Sequence, residues 1–256
     1  MDKKIIMLVG GGESSVFMYN GLKNIFNISK VIVEENPDKY KIFKRRLKRL
    51  GYLDVFGQVL FQLSVPYILK KTSQKRIGKL KSIYKLDSTP ITKDIVYNVS
   101  SVNSVECIEF IIKEKPDFII VNGTRIISNK VLNSINATFV NTHAGITPKY
   151  RGVHGGYWAL VNDDKSNCGV TVHLVDSGID TGSVLYQSKI YPKKSDNFTT
   201  YTYHQIGEGI ILMKQAINDF MNNQLNETIS NGLESKLYYH PTIWTYLYKR
   251  ITKGVK

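Results

Sequence analysis

The stretch KKIIMLVGGG, residues 3–12, is the part of the sequence that decides the fold. Its apolar run ends in three glycines, which is typical of a buried strand that passes into a tight turn. The residues that follow predict a helix over 14–26 and a second strand over 29–36. This order of strand, helix and strand predicts an α/β fold with a parallel sheet and right-handed crossovers.

The same alternation returns after residue 93 and continues through most of the chain. Strands are predicted over 94–103, 117–123, 137–145, 168–176 and 183–192. The last two of these strands show alternating side-chain faces. Helices are predicted over 104–115, 155–162 and 198–223. Ser195 or Asp196 is the expected N-cap of the last, long amphipathic helix.

The segment 38–93 interrupts this order with a long, basic and helical pattern. Residues 39–93 contain fifteen Lys or Arg and two acidic residues, in a chain whose net charge is +14. Helices are predicted on either side of Pro66. Such a local excess favours an anionic partner, namely a phosphate-bearing substrate, a nucleic acid or a bilayer surface, although a solvated helix face is an equal alternative. Apolar residues recur at helical spacing at Phe43, Leu47 and Leu50.

Residues 39–85 combine this cationic face with a large apolar surface, as interfacial helices do. One interpretation is peripheral contact with an anionic membrane. The other is that the apolar surface covers the protein's own core and a dimer partner. We favour the second, because an apolar helix face usually belongs to a core.

The composition is that of a globular protein, with 42% hydrophobic residues and a mean hydropathy of −0.19. No run reaches the roughly 18 to 20 uninterrupted apolar residues of a membrane-spanning helix. Glycines and Glu13 cut short the apolar run near the amino terminus, so we expect a cytoplasmic protein without a secretory signal. Cys107 and Cys168 have no metal-like spacing and are predicted to be buried packing residues.

Polar groups follow four of the predicted strands, at the point where each strand ends. They occupy residues 10–14, 122–125, 141–143 and 176–180. In a parallel α/β sheet a ligand lies at the carboxyl ends of the strands. We therefore expect these four segments to converge on one cleft.

Asn141 and His143 lie two residues apart on a predicted strand, so their side chains share a face. An amide and an imidazole near a carboxylate can manage the attack of an amine on a carbonyl: the amide donates to the developing oxyanion and the imidazole moves protons. The carboxylate orients the imidazole, and Asp180, between Gly178 and Gly182, is the candidate. The alternative is a histidine that merely caps a strand end.

Residues 140–187, VNTHAGITPKYRGVHGGYWALVNDDKSNCGVTVHLVDSGIDTGSVLYQ, resemble the catalytic segment of the N10-formyltetrahydrofolate-dependent formyltransferases. The family's Asn-x-His pattern matches Asn141 and His143, and its later aspartate matches Asp180. The resemblance implies a Rossmann-like domain in which Asn141 binds the formyl oxygen, His143 handles the proton of the amine and Asp180 assists His143. Asp176 is the rival carboxylate. After the histidine this chain has AGITP where many members have a different loop, which leaves the substrate open.

The resemblance also implies N10-formyltetrahydrofolate as co-substrate, with its pterin ring held by backbone groups of two loops. The catalytic domain is expected over 1–223, with 38–93 as a basic helical insertion and 224–256 as a short C-terminal extension. The implied folate-binding residues are Gly123, Arg125, Ile126, Ile127, Val175, Asp176 and Gly178.

Among acceptors, we favour the primary amine of a nucleotide-linked amino sugar destined for a surface polysaccharide. Methionyl-tRNA formyltransferases carry a C-terminal β-barrel longer than the segment after the last long helix here, so nucleic acid is not expected. Glycinamide ribonucleotide is the other alternative, and Glu13 would be unfavourable beside its phosphate. A non-catalytic basic module that binds RNA or lipid is the remaining one. The expected acceptor-binding residues are Gly11, Gly12, Glu13, Ser14, Tyr150 and Arg151.

Overall fold

A computed structural model describes residues 3–227 and 233–256 of the chain. A seven-stranded sheet lies between helices, which confirms the predicted α/β class. The strands are β1 Ile5–Gly10, β2 Ile28–Glu34, β3 Val96–Val99, β4 Phe118–Asn122, β5 Thr138–His143, β6 Arg151–Gly152, β7 Gly169–Leu174, β8 Val184–Lys189 and β9 Leu237–Tyr238. The helices are α1 Glu13–Leu22, α2 Lys39–Leu50, α3 Tyr52–Thr72, α4 Gln74–Ile83, α5 Val105–Glu114, α6 Asn129–Leu132, α7 Gly155–Val161, α8 Phe198–Met221 and α9 Ile243–Lys253.

The strand order of the large sheet is β3-β2-β1-β4-β5-β7-β8. The first five strands run parallel to their neighbours, and β7 and β8 are antiparallel additions at one edge. Because β1, β4 and β5 run parallel, their carboxyl ends lie at the same edge of the sheet. The order of the strands along the chain reverses between β1 and β4. This is where a ligand is expected in an open α/β sheet.

Alternate residues of β1 enter two separate cores. Ile5, Met7 and Val9 pack with α1 and α8 on one face, whereas Ile6 and Leu8 pack with α5 on the other. Both faces of the strand are therefore covered, which explains why β1 is an unbroken apolar run in the sequence.

The basic segment forms three helices, and the breaks between them differ from the prediction. The structure confirms the helical insertion, but α3 continues through Pro66. The chain turns instead at Gly51, whose φ of 81° lies in the left-handed region that favours glycine, and at Ser73. Phe43 is 40% exposed, so the expected core face of α2 is only partly covered by the described residues.

A buried ion pair attaches this insertion to the sheet domain. Arg76 of α4 donates from Nε and Nη2 to the two carboxylate oxygens of Asp196, each at 2.7 Å. His204 of α8 lies 3.2 Å from the same carboxylate, and Asp196 is 2% exposed. Burial alone raises the pKa of Asp196, but the hydrogen bonds from His204 and Arg76 outweigh it and hold that pKa below its usual range.

Two local predictions near the end of the sheet are corrected. The N-cap of α8 is Asn197, because its side chain accepts from the backbone of Thr199 and Thr200 in a capping box. Asp196 instead serves the ion pair with Arg76. The first five residues of β7 are all buried, because the strand lies between β5 and β8 and both of its faces are covered.

The C-terminal segment 233–256 packs back onto the sheet domain. β9 pairs in parallel with β6, so Tyr238 lies opposite Gly152. Tyr246 of α9 is 1% exposed and packs against Phe61 of α3 at a ring-centroid distance of 5.3 Å. The loop that carries Gly152 is thus held in place by residues that are distant in sequence. Cys107 and Cys168 are both buried, as predicted.

Candidate active site

Asn141 and His143 lie at the carboxyl end of β5, between β4 and β7. The alternation of a strand places both side chains on one face, as the sequence predicts. Nε2 of His143 is 2.7 Å from the carbonyl oxygen of Tyr150. A carbonyl can only accept, so Nε2 carries a proton and donates it there. The other ring nitrogen, Nδ1, can therefore accept and release a second proton.

Asp180 reaches His143 from the loop between β7 and β8. Its Oδ2 lies 3.2 Å from Nδ1 of His143 and accepts a 2.9 Å hydrogen bond from the backbone N–H of Gly152. Asp180 has a φ of 52°, a conformation that non-glycine residues seldom adopt and that is often retained at functional sites. The rival Asp176 instead accepts from Gly178 N and Thr181 Oγ1 within its own loop. Of the two carboxylates, only Asp180 contacts His143 among the described residues.

The Asp180 carboxylate is kept ionised by its neighbours. Burial by itself raises the pKa of this group. Hydrogen bonds from His143, when its Nδ1 is protonated, and from the Gly152 backbone lower it by more, so the pKa lies well below the usual value of an aspartate. A negative charge is therefore fixed beside the His143 ring.

His173 of β7 also belongs to this cluster, although no pattern in the sequence predicted it. Its Nδ1 lies 2.7 Å from the carbonyl oxygen of Leu174 and so carries a proton. Nε2 then accepts a 3.1 Å hydrogen bond from Nδ2 of Asn141 and lies 3.6 Å from Oδ1 of Asp180. This contact fixes which end of the Asn141 amide is the donor, and its second N–H has no partner among residues 3–227 and 233–256.

A cavity of about 430 Å³ opens beside these residues, within the usual size range of small-molecule sites. Its walls combine the three predicted catalytic residues with the two predicted folate loops. All ten residues predicted for these roles line it, namely Asn141, His143 and Asp180 together with Gly123, Arg125, Ile126, Ile127, Val175, Asp176 and Gly178.

A protein-family model described as formyl transferase matches residues 57–217, which is more than half of the chain. The chain belongs to this family. The predicted resemblance is thereby confirmed at the level of the family.

The individual relatives carry names that specify different acceptors. A methionyl-tRNA formyltransferase from Methylacidiphilum infernorum is 36% identical over 122 residues, which are 47% of this chain and 37% of the relative. A GDP-perosamine N-formyltransferase from Brucella melitensis is 29% identical over 126 residues, which are 49% of this chain and 48% of the relative. The chain thus spans less than half the length of these curated relatives.

A solved structure shares the fold at low sequence identity. The N-formyltransferase from Helicobacter canadensis, crystallised in complex with folinic acid and dTDP-3-aminofucose, matches with a TM-score of 0.57 and 19% identity. The match covers 93% of this chain and 71% of that one. This similarity independently supports the α/β architecture described above.

The residues predicted to bind the acceptor lie outside the wall of this cavity. Gly11 and Gly12 form the turn before α1, and Glu13 and Ser14 line a second depression of about 290 Å³. Glu13 lies 2.6 Å from Nζ of Lys81 and 3.8 Å from Nζ of Lys70. Two cations therefore neutralise Glu13, which corrects the expectation that its charge disfavours a phosphate at this place.

Tyr150 contacts the site through its backbone carbonyl, and Arg151 contacts it through its guanidinium. The Tyr150 side chain is 1% exposed, stacks on Tyr238 and donates to Asp164, so its expected role in binding the acceptor stays a prediction. Arg151 donates from Nη1 to the carbonyl oxygen of Ile179. This hydrogen bond joins the segment around Gly152 to the loop that carries Asp180.

Arg125 is held by a buried carboxylate, which no pattern in the sequence predicted. Glu34, 5% exposed at the end of β2, accepts from the backbone N–H of Arg125 and pairs with its Nε, each at 2.6 Å. The Arg125 Nη2 also donates to the carbonyls of Glu35 and Ser100. The side chain therefore shapes the 123–127 loop, and the loop presents Ile126, which is 53% exposed, to the cavity.

Residues 237–239 are a further part of the site that the sequence did not predict. Leu237, Tyr238 and Tyr239 line the cavity, and β9 holds Gly152 in register. The sequence contained one usable signal, a cluster of aromatic residues after 236. Aromatic residues alone did not indicate which surface they cover.

Proposed function

We propose that this protein transfers a formyl group from N10-formyltetrahydrofolate to the primary amine of a nucleotide-linked amino sugar. One observation carries the proposal. The amide of Asn141 and the imidazole of His143, which are neighbours on β5, meet the carboxylate of Asp180 from a distant loop at the wall of one cavity.

The amide supplies a donor for the charge that develops during transfer. Attack of the amine on the formyl carbon converts the formyl oxygen to an oxyanion. One N–H of Asn141 is engaged by Nε2 of His173, and the other is free to donate to that oxygen. A donor that is already oriented by its neighbours stabilises such a charge without further reorganisation.

The imidazole and carboxylate manage the proton of the amine. Nδ1 of His143 accepts the proton, and the ionised Asp180 at 3.2 Å stabilises the cation that forms. The proton then passes to the folate nitrogen as the carbon–nitrogen bond breaks. The ring keeps its position during these steps because Nε2 stays hydrogen-bonded to the Tyr150 carbonyl.

The folate assignment rests on the loops 123–127 and 175–180. They offer backbone groups and apolar side chains, including Ile126 and Val175, on the walls of a cavity of about 430 Å³. A flat ring with polar edges matches such a lining, because pockets of this kind combine apolar walls with a few oriented polar groups. The folinic acid complex of the Helicobacter canadensis N-formyltransferase supports the same choice.

The acceptor assignment draws on two relatives whose names specify sugars. One is the GDP-perosamine N-formyltransferase, and the other is the enzyme crystallised with dTDP-3-aminofucose. Lys70 and Lys81 beside Glu13 provide cations near the end of β1, which suits a diphosphate carrier. A product of this class belongs to the synthesis of surface polysaccharides.

The decisive experiment offers the protein N10-formyltetrahydrofolate with GDP-, dTDP- and UDP-linked amino sugars and detects the gain of one formyl group by mass spectrometry. We expect at least one sugar nucleotide to be formylated by the protein and none by its His143→Ala variant. Formyl transfer to none of the sugars would reject the acceptor class.

Methionyl-tRNA is the second candidate, because the methionyl-tRNA formyltransferase named above is 36% identical over the matched segment. Charged initiator tRNA and glycinamide ribonucleotide are therefore included in the same assay. Preferential formylation of either would replace the amino sugar while leaving the proposed chemistry intact. Failure with all acceptors and no binding of folinic acid would reject the enzymatic proposal as a whole.

A further inference from the structure

Helix α3 is apolar on its outer side as well as on the side that faces the core. Leu53, Phe56, Leu60, Leu63 and Tyr67 recur at spacings of three and four residues, which places them in one stripe along the helix. Their exposed fractions range from 38% for Leu60 to 74% for Leu63. A helix face of this composition is normally covered, and the described residues leave it open.

A second apolar stripe lies on the neighbouring helix α9. Its members Trp244, Leu247, Tyr248 and Ile251 follow the same helical spacing, and Ile251 is 83% exposed. The stripes meet where Trp244 lies against Gly57 of α3, so closely that a Cβ on Gly57 would be 2.3 Å from the indole ring. We call the two stripes together the outer apolar face.

The cations of the protein are concentrated on the helices that carry or adjoin this face. Helices α2, α3, α4 and α9 contain 16 of the 35 Lys and Arg residues but only one of the 21 Asp and Glu residues, Asp54. The whole positive excess of the chain therefore belongs to these four helices. Exposed members include Lys44, Lys48, Lys75 and Lys253.

The inner side of α3 shows how this helix can meet a bilayer. By length and composition α3 could cross a membrane. Phe61, Val65 and Leu69, however, are buried in a core that includes Tyr157 and Tyr246. Crossing would expose that core to lipid and separate α3 from α8 and α9. The helix can therefore lie on a membrane surface and contribute only its outer side.

A second copy of the chain fits the outer apolar face less well than a lipid surface does. A symmetric contact through this face would bring two strongly cationic surfaces together, and juxtaposed like charges oppose association. An anionic bilayer instead attracts Lys and Arg to its headgroups while apolar and aromatic side chains enter the interface.

We propose that the outer apolar face, flanked by the cations of α2, α4 and α9, docks this protein on the surface of an anionic lipid bilayer. This reverses the preference for core and dimer contacts that the sequence alone favoured. This docking does not depend on which acceptor amine the protein formylates. It also lies next to the cavity, because Arg49 of α2 stacks on the cavity residue Tyr239 at 4.9 Å.

Vesicle flotation tests the proposal with the full chain. Vesicles of phosphatidylcholine alone are compared with vesicles that contain phosphatidylglycerol, at low and high salt. We expect recovery with the anionic vesicles at low salt, and a loss of at least about tenfold on neutral vesicles because each basic residue near an anionic surface contributes to binding. Absence of recovery with the anionic vesicles at low salt overturns the proposal.

Two variants separate the apolar and the charged contributions. The triple variant Phe56→Ser, Leu63→Ser, Tyr67→Ser removes apolar groups from the outer face, and Lys44→Glu with Lys48→Glu reverses charges. We expect each to reduce vesicle binding by about tenfold or more. All five positions are exposed, and circular dichroism checks the fold of each variant.

Control variants carry smaller changes of the same chemical kind on α5, outside the four cationic helices. Val105→Ser with Ile112→Ser removes exposed apolar groups there, and Lys113→Glu reverses an exposed charge. We expect both to bind vesicles as the parent does. Equal losses in control and test variants contradict the assignment of the face.

Trp244 reports insertion directly, because it is one of two tryptophans in the chain and is 38% exposed. Brominated lipids are expected to quench its fluorescence, and Trp244→Phe is expected to remove that quenching.

Light scattering tests whether a second copy of the chain covers the outer apolar face instead. A dimer that the triple variant dissociates, together with no vesicle binding by the parent, assigns the face to a second copy and rejects the membrane.

Discussion

The Oδ2 atom of Asp180 lies 3.2 Å from Nδ1 of His143, and the same oxygen accepts a hydrogen bond from Gly152. Gly152 is itself paired with Tyr238 of the C-terminal strand β9. The orientation of the carboxylate therefore depends on a loop before α7, a loop after β7 and a strand near the end of the chain. The predictions that follow test this arrangement.

Asp180→Asn is expected to lower kcat for formyl transfer by about 10²- to 10⁴-fold, because the amide cannot stabilise a proton on His143. Asp176→Asn is the comparison, since Asp176 lies in the same loop and on the same cavity wall but contacts Thr181 rather than His143, so we expect any effect on the KM of the folate rather than on kcat. Steady-state kinetics on both variants check the assignment. An equal loss of kcat in the two variants would contradict it.

His173 is expected to act through Asn141, whose amide it orients. Asn141→Ala should reduce kcat by about 10²- to 10³-fold through loss of the oxyanion donor. His173→Ala should reduce kcat with little change in the KM of the folate. In a double-mutant cycle the two losses are expected to be strongly non-additive, and additive losses would show that His173 acts by another route.

Gly152→Ala is expected to destabilise the fold by about 1 to 3 kcal/mol and to lower activity, because residue 152 has a φ of 91°. A Cβ there would also approach the Tyr238 carbonyl oxygen to 2.3 Å. Urea unfolding measures the change. Gly78→Ala in α4 is the control: it has open space around it, so we expect a neutral effect or a gain of up to about 1 kcal/mol. Equal stability of the Gly152→Ala variant and the parent would contradict the close approach.

The ion pair between Asp196 and Arg76 is expected to make stability depend on pH. The pKa of Asp196 is lowered in the folded protein, so its contribution is present above the ordinary aspartate pKa of about 3.9 and is lost as the pH falls toward the folded-state value. Asp196→Asn should therefore cost about 3 to 5 kcal/mol at neutral pH. The difference from the parent should shrink below about pH 4.

Urea unfolding across this pH range measures the effect, and Asp163→Asn is its control. Asp163 pairs with Lys253 at the surface and has a side chain that is 66% exposed, so we expect a change of less than about 1 kcal/mol at any pH. A difference between the Asp196 variant and the parent that stays constant down to pH 3 would show that the carboxylate charge is not the source of the stability.

The sequence determined the α/β class, the basic helical insertion and the family. Strands that are buried on both faces appear as unbroken apolar runs, and glycines mark the turns that follow them, so both signals are local. The pair Asn141 and His143 was equally visible, because alternation along a strand fixes which side chains share a face. The resemblance of residues 140–187 to the family is visible in the residues themselves, without their tertiary contacts.

Only the tertiary structure decided how distant groups combine. The sequence favoured Asp180 over Asp176, but the contact of Asp180 with His143 depends on the path of one loop. The parts played by His173, Glu34 and Tyr239 depend on contacts between elements far apart in sequence. The exposure of Phe56 and Leu63 likewise became visible only after α3 was packed, because an apolar residue has the same identity on an inner or an outer helix face. Local patterns specify elements, whereas burial and hydrogen-bond partners are properties of the assembled fold.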